Sequence, residues 1–472
     1  MEQLKRIGRI TPKKSLDIKE SKLGIGFEKL DRNVFDPEKA YDKLALVGVK
    51  WVRIQSGWQR TERVKGQYDF EWIDKVVDNL IERGMRPWIC LCYGNDLYNE
   101  EAKEIFGAVG VPPIFTDEQK AGWANYVKAT AEHFRGRVDH YEIWNEPDGR
   151  WCWKHGVSGT EYGKFCVDTS AAIRSVLPEA TVIGGVICTF GSNLAFVNEA
   201  LAAGMDKAID ALSFHEYTPD ESKLFEHIPA LASLVHSYNP DIKIIQGESG
   251  SQSRSDGAGA LRGGAWTPLR QAKQCVRHAI ADLMIDVGFT SYFSCMDMIE
   301  ALNGKVGDKN SYLDYGYFGI LGADFDEDGF ASGEYSPKPS YYAYQNVCSV
   351  FAEGAEVCDL PIVRLVLPSQ RLLGADYNGA LIFKSFRKKN GSSAFAYWNS
   401  TPLMTTDFES TVSFRVTNVK GDIHIVDLLH GDVYEIPSSM TEDAGFGTVT
   451  LKNIPVTDWP MLITFGDFAD FE

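Results

Sequence analysis

Two apolar runs in this chain each end in a glutamate. The first is His140-Tyr141-Glu142-Ile143-Trp144-Asn145-Glu146-Pro147 and the second is Lys243-Ile244-Ile245-Gln246-Gly247-Glu248-Ser249-Gly250. Each reads as a buried strand whose far end carries a carboxylate into a loop. Two carboxylates converging on one cavity are what glycosidic bond cleavage requires. One must be protonated to donate to the leaving oxygen, and the other ionised to attack the anomeric carbon or activate water. Their separation decides the stereochemistry, about 5–5.5 Å for retention and about 6.5–9.5 Å for inversion. That distance is not written in the sequence.

Bringing Glu146 and Glu248 together needs a scaffold. Short apolar strands are predicted at 23–27, 51–55, 87–92, 141–144, 181–187, 211–214, 242–246 and 290–294, and amphipathic helices alternate with them. In the helix predicted over 71–83, Ile73, Val76, Val77, Leu80 and Ile81 recur at helical spacing and Gly84 closes the run. Eight such units predict an α/β fold, a (β/α)8 TIM barrel. The rival, a doubly wound open sheet, lacks its GxGxxG after the first strand. In a barrel, chemistry sits at the C-terminal ends of the strands. That rule selects Arg53, Gln55 and Trp58, then Tyr93, Asn95 and Asp96, then Asn145 and Glu146, then His215 and Tyr217, then Glu248, and finally Cys295 and Asp297. Residues 297–338, rich in Gly, Asp and Tyr, are expected to cap the mouth. Near residue 355 the pattern turns to short strands punctuated by Gly, Asn, Asp and Pro, which predicts an accessory C-terminal β-sandwich. The expected division is an N-terminal segment 1–22 that adds a strand to the sandwich, a barrel over 23–353 and the sandwich over 354–472.

Composition narrows the function. The 472 residues carry a net charge of −17 and no Lys/Arg-rich block, which argues against nucleic acid as a partner. No segment reaches transmembrane length, so no membrane partner is expected. The first 22 residues are polar and basic, without the apolar run of a signal segment. Nine scattered cysteines include no CxxC pair and no zinc-type spacing with histidine. A reduced, cytoplasmic protein without metal or cofactor is expected, with self-association left open.

Trp144-Asn145-Glu146-Pro147 on the fourth strand, with Glu248 ending the seventh, resembles the clan of retaining glycoside hydrolases built on a (β/α)8 barrel. Within it, glycoside hydrolase family 39, the β-xylosidase and α-L-iduronidase family, fits best. Cys92-Tyr93-Gly94-Asn95, Ile183-Gly184-Gly185, Ser213-Phe214-His215-Glu216-Tyr217, Tyr317-Phe318-Gly319-Ile320 and Lys338-Pro339-Ser340-Tyr341-Tyr342-Ala343 support the likeness. Ser249-Gly250 departs from it, where many relatives carry an aromatic residue. The resemblance implies Glu146 as general acid/base, Glu248 as nucleophile and Asn145 on the sugar 2-hydroxyl. It implies that Arg53 keeps Glu248 ionised and that Tyr217 or His215 orients it. Trp58, Tyr93, Trp151 and Trp153 are candidates to stack on sugar, with Asn95 and Asp297 at its edge. Each of these also has a plain packing reading. Glu142 reads as a core ion pair, and Glu216 as structural because strand alternation turns it away from His215. Glu300 and Asp297 could line a sugar subsite or be solvated loop charges. The expected partner is a short oligosaccharide or glycoside, and the expected activity is that of a retaining exo-β-glycosidase, foremost a β-xylosidase. The alternatives are a β-glucosidase, β-galactosidase, α-L-arabinosidase or α-L-iduronidase, or a carbohydrate-binding barrel without catalysis.

Overall fold

The computed structural model describes all residues except 1–3, 104–106, 189–192, 301–313, 366–370, 373–374 and 377–380. Strand β1 spans Lys5–Arg9. Eight parallel strands then close a barrel: β2 Gly24–Gly26, β3 Trp51–Gln55, β4 Arg86–Leu91, β5 His140–Ile143, β6 Thr181–Ile187, β7 Ala211–His215, β8 Lys243–Ser249 and β9 Thr290–Tyr292. The ring closes where Ile25 of β2 pairs with Tyr292 of β9.

Local chemistry explains where the helices between these strands begin. The side chains of Thr116, Ser158 and Thr267 each accept from a backbone N–H three residues on, capping the helices Asp117–His133, Gly159–Val176 and Pro268–Met284. Gly84, at φ +81°, ends the turn after helix Glu71–Glu82 in the left-handed region that glycine enters without strain.

The barrel interior is layered. Trp51, Trp88, Ile183, Ala211, Ile245 and Phe289 form an apolar plug at the N-terminal ends of the strands. Trp51 and Phe289 stack there with ring centroids 4.3 Å apart. Above the plug the interior turns polar, with Arg53, Glu142, Ser213 and His215 each 0% exposed. Buried charges demand partners, and the site lies in the layer that supplies them.

Among the described residues the accessory part has two larger antiparallel sheets and a short pairing of Arg371–Leu372 with Ala375–Asp376. One holds seven strands, in the order β1, Asp432–Glu435, Ile423–Asp427, Met461–Phe465, Ser393–Asn399, Leu381–Arg387 and Glu356–Cys358. Its edge strand β1 pairs Lys5 with Glu435. The other holds four, Ile362–Arg364, Glu409–Thr417, Thr448–Thr457 and Thr441–Gly445. Phe395 and Phe414 join the two sheets edge to face at 4.9 Å. Helix Pro268–Met284 is buried at every residue from Gln271 to Met284, between the barrel and these sheets. Its Lys273 meets Asp458 at 2.9 Å, both side chains fully buried. Its Arg277 reaches Glu221 at 2.7 Å, and Trp398 of the seven-stranded sheet donates to the same carboxylate.

Within 297–338, Leu321–Phe325 and Ala331–Pro337 form a hairpin, and Met298–Ile299 pairs with Tyr315–Gly316. Residues 301–313 of that expected cap lie outside the described residues. Phe318 and Glu300 from the described part do line the cavity at the barrel mouth.

Candidate active site

Arg53 on β3 is the hub. Its Nη1 donates to Glu248 Oε2 at 2.9 Å and to Glu28 Oε1 at 3.4 Å. Its Nε and Nη2 donate to Glu142 Oε2 at 2.8 and 2.6 Å, and Nη2 also reaches Asn145 Oδ1 at 2.7 Å. One guanidinium thus serves three carboxylates and an amide. Its planar fork can do this where a lysine could not.

Glu248 has both oxygens engaged, since Tyr217 donates to Oε1 at 2.5 Å. A register shift after Phe214 sets His215 opposite Glu248 across β7 and β8. His215 Nδ1 lies 3.0 Å from Glu146 Oε1 and 3.8 Å from Glu248 Oε2. Trp151 donates its Nε1–H to the other oxygen of Glu146. Oxygen atoms of Glu146 and Glu248 and a ring nitrogen of His215 all fall within 4.8 Å of one another. The turn that presents Glu146 is strained, with Trp144 at φ +67° and Glu146 at φ +44°. Left-handed backbone at such residues costs roughly 1–3 kcal/mol each and persists where the surroundings impose it.

The electrostatics separate the groups. Burial pushes the Glu248 carboxyl up, but His215, Arg53, the Tyr217 hydrogen bond and Lys29 together hold it below the usual carboxylate range. Burial pulls His215 down, and the charge of Glu248 with the hydrogen bond to Glu146 lifts it above its ordinary value. Glu28 moves the other way: burial raises it, Arg53 lowers it and Glu248 raises it again, leaving it at about 8. A divalent cation set between Glu146, His215 and Glu248 would face the Arg53 guanidinium 2.9 Å from its Glu248 ligand, so this donor set suits a neutral or cationic carbon centre better than a metal.

The cavity at the barrel mouth has a volume of about 530 Å³, and Glu146, Glu248, Asn145, Tyr217, Tyr93 and Trp151 line it. Tyr93 accepts from Gln55 Nε2 at 3.0 Å. Trp151 is 41% exposed at the rim, with its Nε1–H on Glu146. His215 lies just beneath, fully buried.

Four expected site residues do not line this cavity, although Trp58 borders a neighbouring one. Trp58 is fully buried, stacked between Tyr98 and Tyr126, and donates to Glu62 at 2.6 Å. The short helix Trp58–Thr61 folds its ring inward. Asn95 is buried and braces a loop, donating to the carbonyl of Glu62 and accepting from the Leu97 N–H. Trp153 packs on Trp144, Tyr162 and Phe165 in the core. Asp297 is buried against Lys338 and the Gly319 N–H, tying down the base of the insert. Glu142 forms the core ion pair with Arg53. Glu216 borders the cavity, with its carboxylate 3.8 Å from His227.

Sequence reasoning missed Glu28 and Lys29. They directly follow the first barrel strand, so the strand-end rule applied to that strand points to them. Lys29, in the left-handed region at φ +64°, donates to Glu300 at 3.0 Å and to the carbonyl of Ile299. Phe293, Phe318, Cys188 and Arg262 also line the wall. Phe318 belongs to Tyr317-Phe318-Gly319-Ile320.

Comparison with known proteins agrees with this geometry. Residues 40–230 match the model of Glycosyl hydrolases family 39. A beta-xylosidase of Geobacillus stearothermophilus is 29% identical over 177 residues, 35% of this chain and 34% of that protein. A beta-xylosidase of Caldicellulosiruptor saccharolyticus is 26% identical over 162 residues, 32% of each. This chain therefore spans about a third of the length of these relatives. Among solved structures, a family 39 glycoside hydrolase from Bacteroides cellulosilyticus WH2 superposes with a TM-score of 0.63 at 18% identity, covering 94% of this chain and 80% of that one. A monomeric beta-xylosidase from Caulobacter crescentus CB15 superposes with a TM-score of 0.59 at 16% identity, covering 97% and 98%. These superpositions carry the fold. The sequence match is confined to residues 40–230, the stretch that holds Arg53, Glu146, His215 and Tyr217, which is similar to glycoside hydrolases of family 39.

Proposed function

We propose that this protein is a retaining exo-β-glycosidase, with β-xylosides of short chain length as its substrates. The observation that carries the reading is the pair of glutamates with oxygens within 4.8 Å, Glu248 held by Arg53 and Tyr217 and Glu146 by His215 and Trp151. That spacing leaves little room for a water between the carboxylate and the sugar, and so favours direct attack by Glu248. Glu248, held ionised by His215, Arg53 and Tyr217, forms the glycosyl ester. Glu146 protonates the leaving oxygen and then, as a base, draws the proton from the water that releases the sugar. With Asn145 Oδ1 taken by Arg53 and one Nδ2 hydrogen donated to Cys152 Sγ at 3.6 Å, the second Nδ2 hydrogen is left to meet a sugar hydroxyl.

The relatives named beta-xylosidase support the choice of sugar, and the small cavity supports short substrates. A panel of aryl β-xylosides, glucosides, galactosides and arabinosides tests it. The xyloside should be cleaved fastest, and Glu146→Gln should lower its turnover by about 10²–10⁴-fold. Unchanged hydrolysis in both Glu146→Gln and Glu248→Gln would refute the assignment.

A further inference from the structure

A second cavity of about 460 Å³ opens beside the first, and Arg32, Tyr93 and Val109 belong to the walls of both. The loops after β2, β3 and β4 build it. Three guanidinium groups, those of Arg32, Arg60 and Arg63, face it against a single carboxylate, Asp31. This local excess of positive charge sits in a chain of net charge −17.

The four groups are not equally committed. Asp31 lies 3.7 Å from Arg32, both side chains 8% exposed. Arg32 also donates to Gln55 at 2.6 Å. Arg60 donates to the carbonyl of Leu30 and lies over the Trp72 ring, 4.4 Å from its centroid. Arg63 is exposed and makes no hydrogen bond or ion pair among the described residues. Burial weakens the hold of Arg60 on its proton, Asp31 strengthens it, and the charge of Arg63 weakens it again. Two like charges therefore face each other at an open cavity, an arrangement that an anion between them would relieve.

The inner cavity has the opposite character. Five carboxyls, those of Glu28, Glu146, Glu216, Glu248 and Glu300, border it against Lys29, Arg32 and Arg262, and Lys29 is spent on Glu300, so the carboxyls outnumber the cations on the wall where the sugar to be released sits. We propose that the outer cavity is a subsite for an acidic sugar unit, whose carboxylate is received by Arg60 and Arg63 while the neutral sugar to be released sits against Glu248. Planar guanidinium groups match a carboxylate through paired hydrogen bonds, which is the chemistry of a uronic acid. The inference rests on the glycosidase reading above and narrows its substrate class to glycosides that bear a uronic acid next to the sugar released.

The test compares two xylo-oligosaccharides that differ only in carrying a uronic acid or its methyl ester. The expected result is kcat/KM about fivefold higher for the acid at low salt, the scale of a partly exposed ion pair. The preference should shrink in about 0.5 M salt, where such charges are screened. It should vanish or reverse in Arg63→Glu, whose exposed site leaves the fold intact. Equal kcat/KM for acid and ester in the native protein, or a preference that survives Arg63→Glu, would overturn the subsite. Failure to cleave either compound would instead refute the glycosidase reading. The affinities of acid and ester for the Glu146→Gln variant, by calorimetry, then decide the subsite alone.

Discussion

Arg53 sets the chemistry of its neighbours, and its loss should show twice. Removing one partner of a buried ion cluster costs about 3–5 kcal/mol, so Arg53→Met should unfold at markedly lower denaturant concentration. Without that cation, the Glu248 carboxyl also moves up. The nucleophile must be ionised, so the acid limb of the kcat/KM profile should shift to higher pH. Tyr217→Phe, which removes only the hydrogen bond to Glu248, should shift the limb in the same direction by less, with little loss of stability. Glu28 gives the opposite pH signature. Its folded-state value of about 8 stands above the ordinary 4.5, so the folded protein binds a proton that the unfolded chain releases. The stability this contributes is full below about pH 4.5 and fades as pH rises through about 8. Glu28→Gln should therefore flatten the fall of Tm between pH 5 and 9, and an unchanged slope would contradict the assignment. Much of this was legible beforehand. Glu146, Glu248, Arg53 and Tyr217 stand at strand ends of a countable barrel, and geometry places them together. Glu28 and Lys29 follow the strand predicted at 23–27 but belong to no motif, and so were not singled out.

At the scale of elements, the loop after β5 separates two tryptophans that look alike in sequence. Trp151 is exposed at the rim and Trp153 is 1% exposed in the core. Trp151→Ala should lower activity about tenfold through the lost contact with Glu146, with stability changed by no more than about 0.5 kcal/mol. Trp153→Ala should cost about 3–5 kcal/mol by leaving a cavity. A thermal melt and an aryl-xyloside assay on both variants separate the two roles. Trp58 and Asn95, both buried, show the same limit. The strand-end rule says where a loop starts but not which way its side chains turn, and the single helical turn Trp58–Thr61 turns that ring inward. Asp297 sits at a strand end as expected, yet Lys338, 41 residues away in sequence, claims its carboxylate. Pairings of that range leave no local trace.

For the whole molecule, the plug of Trp51, Trp88 and Phe289 closes the bottom of the barrel and leaves one open end for chemistry. The accessory sheets lock onto the barrel through helix Pro268–Met284, buried on every side. Breaking the Lys273–Asp458 pair tests how far the two parts share one stability. Lys273→Ala should cost about 3–5 kcal/mol by stranding a buried carboxyl. The eight-strand count and the change to short strands near residue 355 were readable from periodicity, because a barrel needs repeated apolar strands and a sandwich needs frequent turns. The buried lysine in an otherwise amphipathic helix was not, since its partner lies 185 residues away. In the proposed mechanism Glu248 attacks the sugar directly while Glu146 handles the proton. Proton NMR of the first sugar released from an aryl β-xyloside tests it most directly. The account predicts that the β-anomer appears first and then mutarotates, and initial release of the α-anomer would contradict it.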